Sequence, residues 1–244
     1  MPISRFANPG IFLRLADRRM PWLGAAALVS FAAGIYFALY TSPPDYQQGE
    51  TVRIMYVHVP AAWLGLMIYV AMAIAAGVGL VARHTLADIF CAAAAPVGAT
   101  LTALCLITGS IWGKPTWGTF WVWDARLTSV LILFLLYCGY IVLRRSFEDH
   151  EKGGKACAVL LLLGAVNIPI IHFSVLWWNT LHQPPSVFRM NGPSIDPGML
   201  RPLLIMALAY LFYASFVILL RMKTELLARR VEAAELLEGG ENLD

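Results

Sequence analysis

The sequence predicts an all-α integral membrane protein with six transmembrane helices, both termini cytoplasmic and a tryptophan-rich outer loop. Composition is the first reason. Of 244 residues, 59% are hydrophobic and only 14% charged, and the mean hydropathy is +0.67, whereas soluble domains carry about 25% charged residues. That excess of apolar side chains needs lipid to cover it. Secondly, charged residues cut the chain into six uncharged stretches close to the roughly 20 residues that cross about 30 Å of hydrocarbon. Thirdly, the basic residues sort by side. The net charge of +3 is too near balance to suggest nucleic acid, so charge reports topology here.

Residues 21–40 form the first predicted span. The second lies between Arg53 and Arg83, with Pro60 as a first-turn proline. The third lies between Asp88 and Lys114, and the fourth, between Arg126 and Arg144, is the shortest, with 17 uncharged residues. The fifth begins after Lys155 and stays apolar to about residue 175, and the sixth covers residues 202–220. Pro96 and Pro169 predict kinks whose freed carbonyls are met by neighbours. Ten-residue alternation and the turns of a barrel are missing.

Lys and Arg set the orientation. One side holds Arg5, Arg14, Arg18, Arg19, Arg83, Arg144, Arg145, Lys152, Lys155, Arg221, Lys223, Arg229 and Arg230. The other holds Arg53, Lys114, Arg126, Arg189 and Arg201. Three loops, near residues 41–57, 111–125 and 176–201, are therefore expected to face outward. Residues 1–21 read as a cytoplasmic tail, 22–222 as one six-helix domain and 223–244 as a second cytoplasmic tail, an alternating acidic and basic helix with a solvated end. Residues 1–20 show no small-residue cleavage site, so the first apolar run is expected to remain as an anchor.

Cys91, Cys105, Cys138 and Cys157 lie in or beside apolar runs with no close spacing. They suggest neither a disulfide framework nor a zinc or haem-attachment motif, and read as small packing residues. The tryptophans are less ordinary. Trp22 and Trp63, and in part Trp112, suit an aromatic belt at the headgroup level. Residues 117–124, Trp-Gly-Thr-Phe-Trp-Val-Trp-Asp, crowd Trp117, Phe120, Trp121 and Trp123 too closely for a belt alone. Trp121 and Trp123 share a face if the segment is extended, and Trp117 and Trp121 share one if it is helical. Either arrangement makes a platform on which a flat apolar ligand gains by stacking and burial. Lys114, Asp124 and Arg126 put charge at its rim.

The histidines divide in the same way. His84 and His150 lie among charges and read as solvated, while His172, towards the outer end of the fifth span, reads as an interhelical hydrogen-bonding residue. His58, at the outer mouth of the second span, and His182, in the third outer loop, lie at one membrane depth beside the tryptophans. Two such imidazoles could supply both axial ligands of a haem iron.

These motifs resemble a known family. Residues 117–124, preceded by Gly-Ser-Ile-Trp-Gly-Lys-Pro at 109–115 and followed by Ala-Arg-Leu-Thr-Ser, are similar to the tryptophan-rich "WWD" domain of haem-handling membrane proteins. Within that group the chain resembles the CcmC family of bacterial cytochrome c maturation. Asp-Tyr-Gln-Gln-Gly at 45–49, His-Val-Pro-Ala-Ala at 58–62, Asn-Ile-Pro-Ile-Ile-His at 167–172 and Trp-Trp-Asn-Thr-Leu-His-Gln at 177–183 extend the likeness over roughly residues 22–222. Phe120 departs from it, since a further Trp is common there.

The resemblance implies that His58 and His182 are the axial ligands of a non-covalent haem b. It also implies that the loop at about 112–126, with Trp112, Trp117, Phe120, Trp121, Trp123, Asp124 and Arg126, holds that haem at the periplasmic face of the inner membrane. The implied partners are the haem chaperone CcmE, the ABC-transporter subunits CcmA and CcmB, and the small membrane protein CcmD. The expected role is haem delivery, or export, rather than enzymatic turnover. Arg126, Lys114 or Arg53 could pair with propionates, and Asp124 could orient a ligand histidine or cap the following helix, the cap being favoured. Two other classes stay open. A cytochrome b-like subunit would carry its histidines on facing helices inside the membrane. A permease for haem or another hydrophobic solute would need a polar pathway, and no span contains a charge.

Overall fold

A computed structural model describes residues 8–241 of the chain. The expectations for residues 1–7, Arg5 among them, and for residues 242–244 lie outside the described part. Six helical segments are long and apolar enough to cross a membrane. The described residues form no strand beyond an isolated bridge between Asp45 and Gly49.

Helix α1 spans Pro9–Tyr36 and ends in a π turn, Phe37–Thr41. It starts well before residue 21 because Asn8 accepts hydrogen bonds from the Gly10 and Ile11 amides and Pro9 supplies a preset first turn. A 3₁₀ turn, Glu50–Ile54, leads into α2, Met55–Ala82, and α3 covers Thr85–Trp117. Helix α4, Ala125–Arg145, occupies the stretch predicted for the fourth span.

The fifth crossing is broken into α5, His150–Gly164, and α6, Asn167–Trp177. The interruption falls just before Pro169, at the predicted kink, since a proline lacks the amide that would continue the ladder. Beside Pro96 the α3 helix is continuous, and Arg221 Nε donates to the nearby Ala93 carbonyl at 3.0 Å. Helix α7, Pro197–Glu241, has 45 residues, about 68 Å at 1.5 Å per residue, more than twice the hydrocarbon thickness.

Six crossings bring the described chain ends back to one end of the bundle, the terminal end, where Lys223 pairs with Asp17 at 2.5 Å. The opposite, loop end carries residues 42–54, 118–124 and 178–196. Between them, α2 and α3 form the central pair, and small side chains let them approach. A Cβ on Gly65 would stand 2.8 Å from Thr102 Oγ1, and one on Gly98 would overlap the Tyr137 ring. The Tyr137 hydroxyl donates to the Gly65 carbonyl at 2.7 Å. Close backbone approach and interhelical hydrogen bonds hold helices together where lipid offers no hydrophobic gain. Leu28, Ile74, Val81, Val142 and Leu163 are exposed, as lipid-facing residues should be.

The C-terminal segment is more than the solvated end that its charge pattern suggested. Arg229 on α7 donates to Asp88 on α3 at 2.9 Å, Arg144 on α4 donates to the same carboxylate oxygen at 2.8 Å, and Glu225 pairs with Arg229. Arg229→Ala should therefore destabilise the bundle by about 1–2 kcal/mol, less than for a fully buried pair because Arg144 keeps Asp88 company. A lowered thermal midpoint in detergent would register this.

Candidate functional site

The loop end is assembled from the first outer turn inward. Asp45 Oδ1 accepts from the Gln47 and Gln48 amides at 2.9 and 2.8 Å, and Gly49 closes the turn at φ +58°, a conformation favouring glycine. The turn aims Gln48 at α3, where its side-chain carbonyl accepts from Trp112 Nε1 at 2.8 Å. Trp112 in turn meets His58 edge-on, with ring centroids 5.7 Å apart.

His58 sits in the first turn of α2 and faces α3. Its Nδ1 lies 3.0 Å from the Cys105 carbonyl and 3.2 Å from Thr108 Oγ1. The Thr108 hydroxyl gives its own proton to the Leu104 carbonyl at 2.6 Å, so both neighbours of Nδ1 are acceptors. The imidazole therefore carries its proton on Nδ1 and leaves the Nε2 lone pair for a metal, the arrangement that commonly orients a ligating histidine. Gly109 makes room: a Cβ there would come within 2.8 Å of His58 Cε1. Gly109→Ala should tilt the imidazole and lower haem retention by about tenfold while leaving the helical circular dichroism unchanged.

Helix α3 ends at Trp117, and Gly118 caps it in the left-handed region at φ +79°, where a side chain would be strained. Residues 118–120 bend and 121–124 are non-helical, so Trp117 and Trp121 do not share a helical face. Trp121 and Trp123 meet edge-to-face at 5.5 Å and 78°, not as a flat pair. Trp123 and Phe120 are exposed, and the Lys114 ammonium lies over the Phe120 ring at 5.3 Å. Trp121 is half-buried, and its indole N–H is enclosed without an acceptor within the described residues.

Asp124 then starts α4. Its Oδ1 accepts from the Leu127 amide at 2.7 Å, the helix cap that the sequence favoured. Its Oδ2 accepts from the Leu181 amide at 3.3 Å and lies 3.7 Å from His182 Nδ1, so one carboxylate also reaches the candidate ligand loop. His182 packs edge-on against Trp117 at 5.0 Å. Burial, followed by the nearby Arg126 charge, pulls its pKa down to about 4 against the opposing pull of Asp124, and His58 is close enough to add to the lowering. His182 is thus neutral at pH 7, with a lone pair to offer.

Arg126 is turned toward the protein. Its Nε donates to Ser174 Oγ at 3.0 Å and its Nη2 to the Ile171 carbonyl at 3.2 Å, along the middle of α6. Lys114 donates to the Gly118 carbonyl at 3.0 Å. Arg53 pairs with Glu50 and donates to the Ala38 and Ser42 carbonyls. All three basic residues considered for propionates thus have protein partners.

His172 is not the interhelical hydrogen-bonding residue that its position suggested. It is exposed on α6, with its ring edge-on to Phe173 at 4.8 Å. His150 is exposed and paired with Glu232 at 3.0 Å, whereas His84 is half-buried at the start of α3 and its Nδ1 is enclosed. Cys91, Cys105 and Cys157 are buried and Cys138 is half-buried. Sequence reasoning missed Gln48, Thr108, Gly109 and Ser174 as supports. A polar residue inside the quoted 45–49 motif was the sole signal for Gln48, and an interior glycine one turn from Trp112 that for Gly109.

The chain can be compared with known proteins on this basis. The family model described as "Heme exporter protein C" matches residues 2–237. The Heme exporter protein C of Bradyrhizobium diazoefficiens is 51% identical over 98% of this chain and 90% of its own length. That of Escherichia coli is 46% identical over 92% of this chain and 91% of its own. A protein of Marchantia polymorpha named "Putative cytochrome c biosynthesis ccmC-like mitochondrial protein" is 46% identical over 81% of this chain and 83% of its own. A family match across nearly the whole chain, six apolar spanning helices and the predicted tryptophan motif agree with one another, and the chain belongs to the CcmC family, Heme exporter protein C.

Proposed function

We propose that the chain binds haem at the loop end and delivers it for c-type cytochrome maturation, with His58 and His182 as axial ligands to a non-covalently held haem b. The observation that carries this reading is His58: its Nδ1 proton is committed to Cys105 O, which leaves Nε2 as the ligating atom. His182, kept neutral by burial and with its Nδ1 3.7 Å from the Asp124 carboxylate, supplies the second imidazole from a separate element. Trp112 and Trp117 back the two histidines, Trp121 and Trp123 with Phe120 extend the apolar surface, and the enclosed Trp121 N–H is a donor suited to a ligand oxygen. Burial keeps His182 unprotonated and the Arg126 charge adds to that, while the Arg126 guanidinium also ties α4 to α6. A bis-histidine pair leaves the porphyrin edge open for an incoming protein.

In this reading the loop end faces the periplasm across the bacterial inner membrane, as the distribution of basic residues supports. CcmE receives the haem, and CcmA, CcmB and CcmD are the companions in the membrane. The chain handles haem, and covalent attachment occurs on the chaperone. A cytochrome b-like reading is less favoured, because His172 faces outward and His182 lies in a loop rather than on a helix opposite His58. The test is the absorption spectrum of the detergent-purified protein from haem-replete cells, for wild type and His172→Ala. A low-spin bis-histidine spectrum in both is expected, with haem moving onto co-expressed CcmE. A haem-free wild type, or loss of the spectrum in His172→Ala alone, would sink the assignment.

A further inference from the structure

The terminal end holds a cavity of about 370 Å³ between α2, α3, α5 and α7. It exists because facing positions are small: Ala75, Ala76 and Gly79 on α2 and Ala158 on α5 leave the helices unfilled there. Polar groups without protein partners face this space. Tyr140 is 2% exposed, lines the cavity and has no partner for its hydroxyl among the described residues, and the enclosed His84 Nδ1 lines it too. A buried hydroxyl without a partner is unfavourable, so the arrangement calls for a ligand atom that can accept from it.

The electrostatics select an anion. His84 and Thr85 line the cavity where the 33-residue helix α3 begins, and no side chain caps that N-terminus. Uncapped amides and the helix dipole favour negative charge. Arg83 stands at the same corner with φ +49°, the one non-glycine residue at positive φ among the described residues. Arg83 ends α2 as its left-handed C-cap, and its side chain lines the cavity. Asp88, the acidic neighbour, is neutralised by Arg144 and Arg229, and Glu151 by Lys155 at 2.6 Å. Next to these polar groups, the apolar wall of Ala75, Ala76, Gly79 and Leu80 runs along α2 into the membrane-spanning part.

We propose that this cavity seats the phosphate of one phospholipid from the leaflet at the terminal end, with its glycerol and first methylenes against α2. The Tyr140 hydroxyl and the start of α3 hold the phosphate, and Arg83 closes over it. The site is separate from the haem site and does not depend on the haem reading.

Native mass spectrometry of the full chain tests this, with added dioleoylphosphatidylglycerol, with dioleoylglycerol as the same lipid lacking phosphate, and with inorganic phosphate alone. The wild type should retain one phosphatidylglycerol and release dioleoylglycerol. Tyr140→Phe, which keeps the ring, should weaken retention about tenfold. Gly79→Leu should abolish it by filling the cavity, since a Cβ at position 79 meets only Ala87 Cβ at 3.9 Å. The haem spectrum should be unchanged in both variants. Equal retention of the two lipids, or full retention in Tyr140→Phe, overturns the proposal. Binding of inorganic phosphate with no retained lipid makes the site one for soluble anions and overturns the lipid assignment.

Discussion

His58→Ala should lower haem retention by more than about 100-fold, because a ligand deletion exceeds the 10- to 100-fold effect of losing a ligand's supporting partner. The loss should be larger than that of His182→Ala. His58 is fixed on a helix, with its proton committed to Cys105 O and its ring packed between Gly109 and Trp112, so no neighbouring group can swing in to replace it. His182 comes from a segment without regular structure, where water can take over an axial position. His182→Ala is therefore expected to retain some haem with an altered, partly high-spin spectrum. Chemical rescue separates ligand loss from misfolding. Exogenous imidazole at millimolar concentration should restore the low-spin spectrum of His58→Ala, because the deletion leaves an imidazole-sized space beside Thr108. Persistence of the wild-type spectrum in His58→Ala would remove this residue from the iron.

Asp124→Ala should show the next largest effect, since one carboxylate holds two elements. Loss of the Leu127 cap costs α4 about 0.5–2 kcal/mol. Loss of the Leu181 and His182 contacts should reduce haem affinity about 10- to 100-fold, as for other partners behind a ligand. Asp124→Asn divides the two roles. Its amide oxygen can still accept from Leu127, so the thermal midpoint should stay near wild type, while the carboxylate charge that orients the His182 imidazole and raises its basicity as a ligand is gone, and haem affinity should fall. Wild-type haem affinity in Asp124→Asn, together with a lowered midpoint in Asp124→Ala, would reduce Asp124 to a cap.

The fold was legible where hydrophobicity decides it. The fourth span and the break before Pro169 fell where charge spacing and proline chemistry put them. The start of α1 was not found, because Arg14, Asp17, Arg18 and Arg19 hid a helix whose real signal was Asn8 followed by Pro9. Amphipathic ends of membrane helices continue past the lipid, and charge spacing marks only the lipid. At the loop end, the residue types were visible and their partners were not. Gln48 reaches Trp112 over 64 positions and Arg126 reaches Ser174 over 48, and such pairings depend on how helices pack. His172 shows the same limit, since a histidine near a helix end can turn inward or outward, and its neighbours in sequence do not say which.

Among the described residues, α1 packs chiefly on α7, the first span of the chain against the last. During synthesis the opening helix has no docking surface until the final span has been inserted, so it waits in lipid while α2 and α3 can pair at once. Docking of α1 in the bundle thus waits for insertion of α7. A chain interrupted before residue 197 would keep the α2–α3 pair yet leave its first helix adrift, a ready substrate for membrane quality-control proteases.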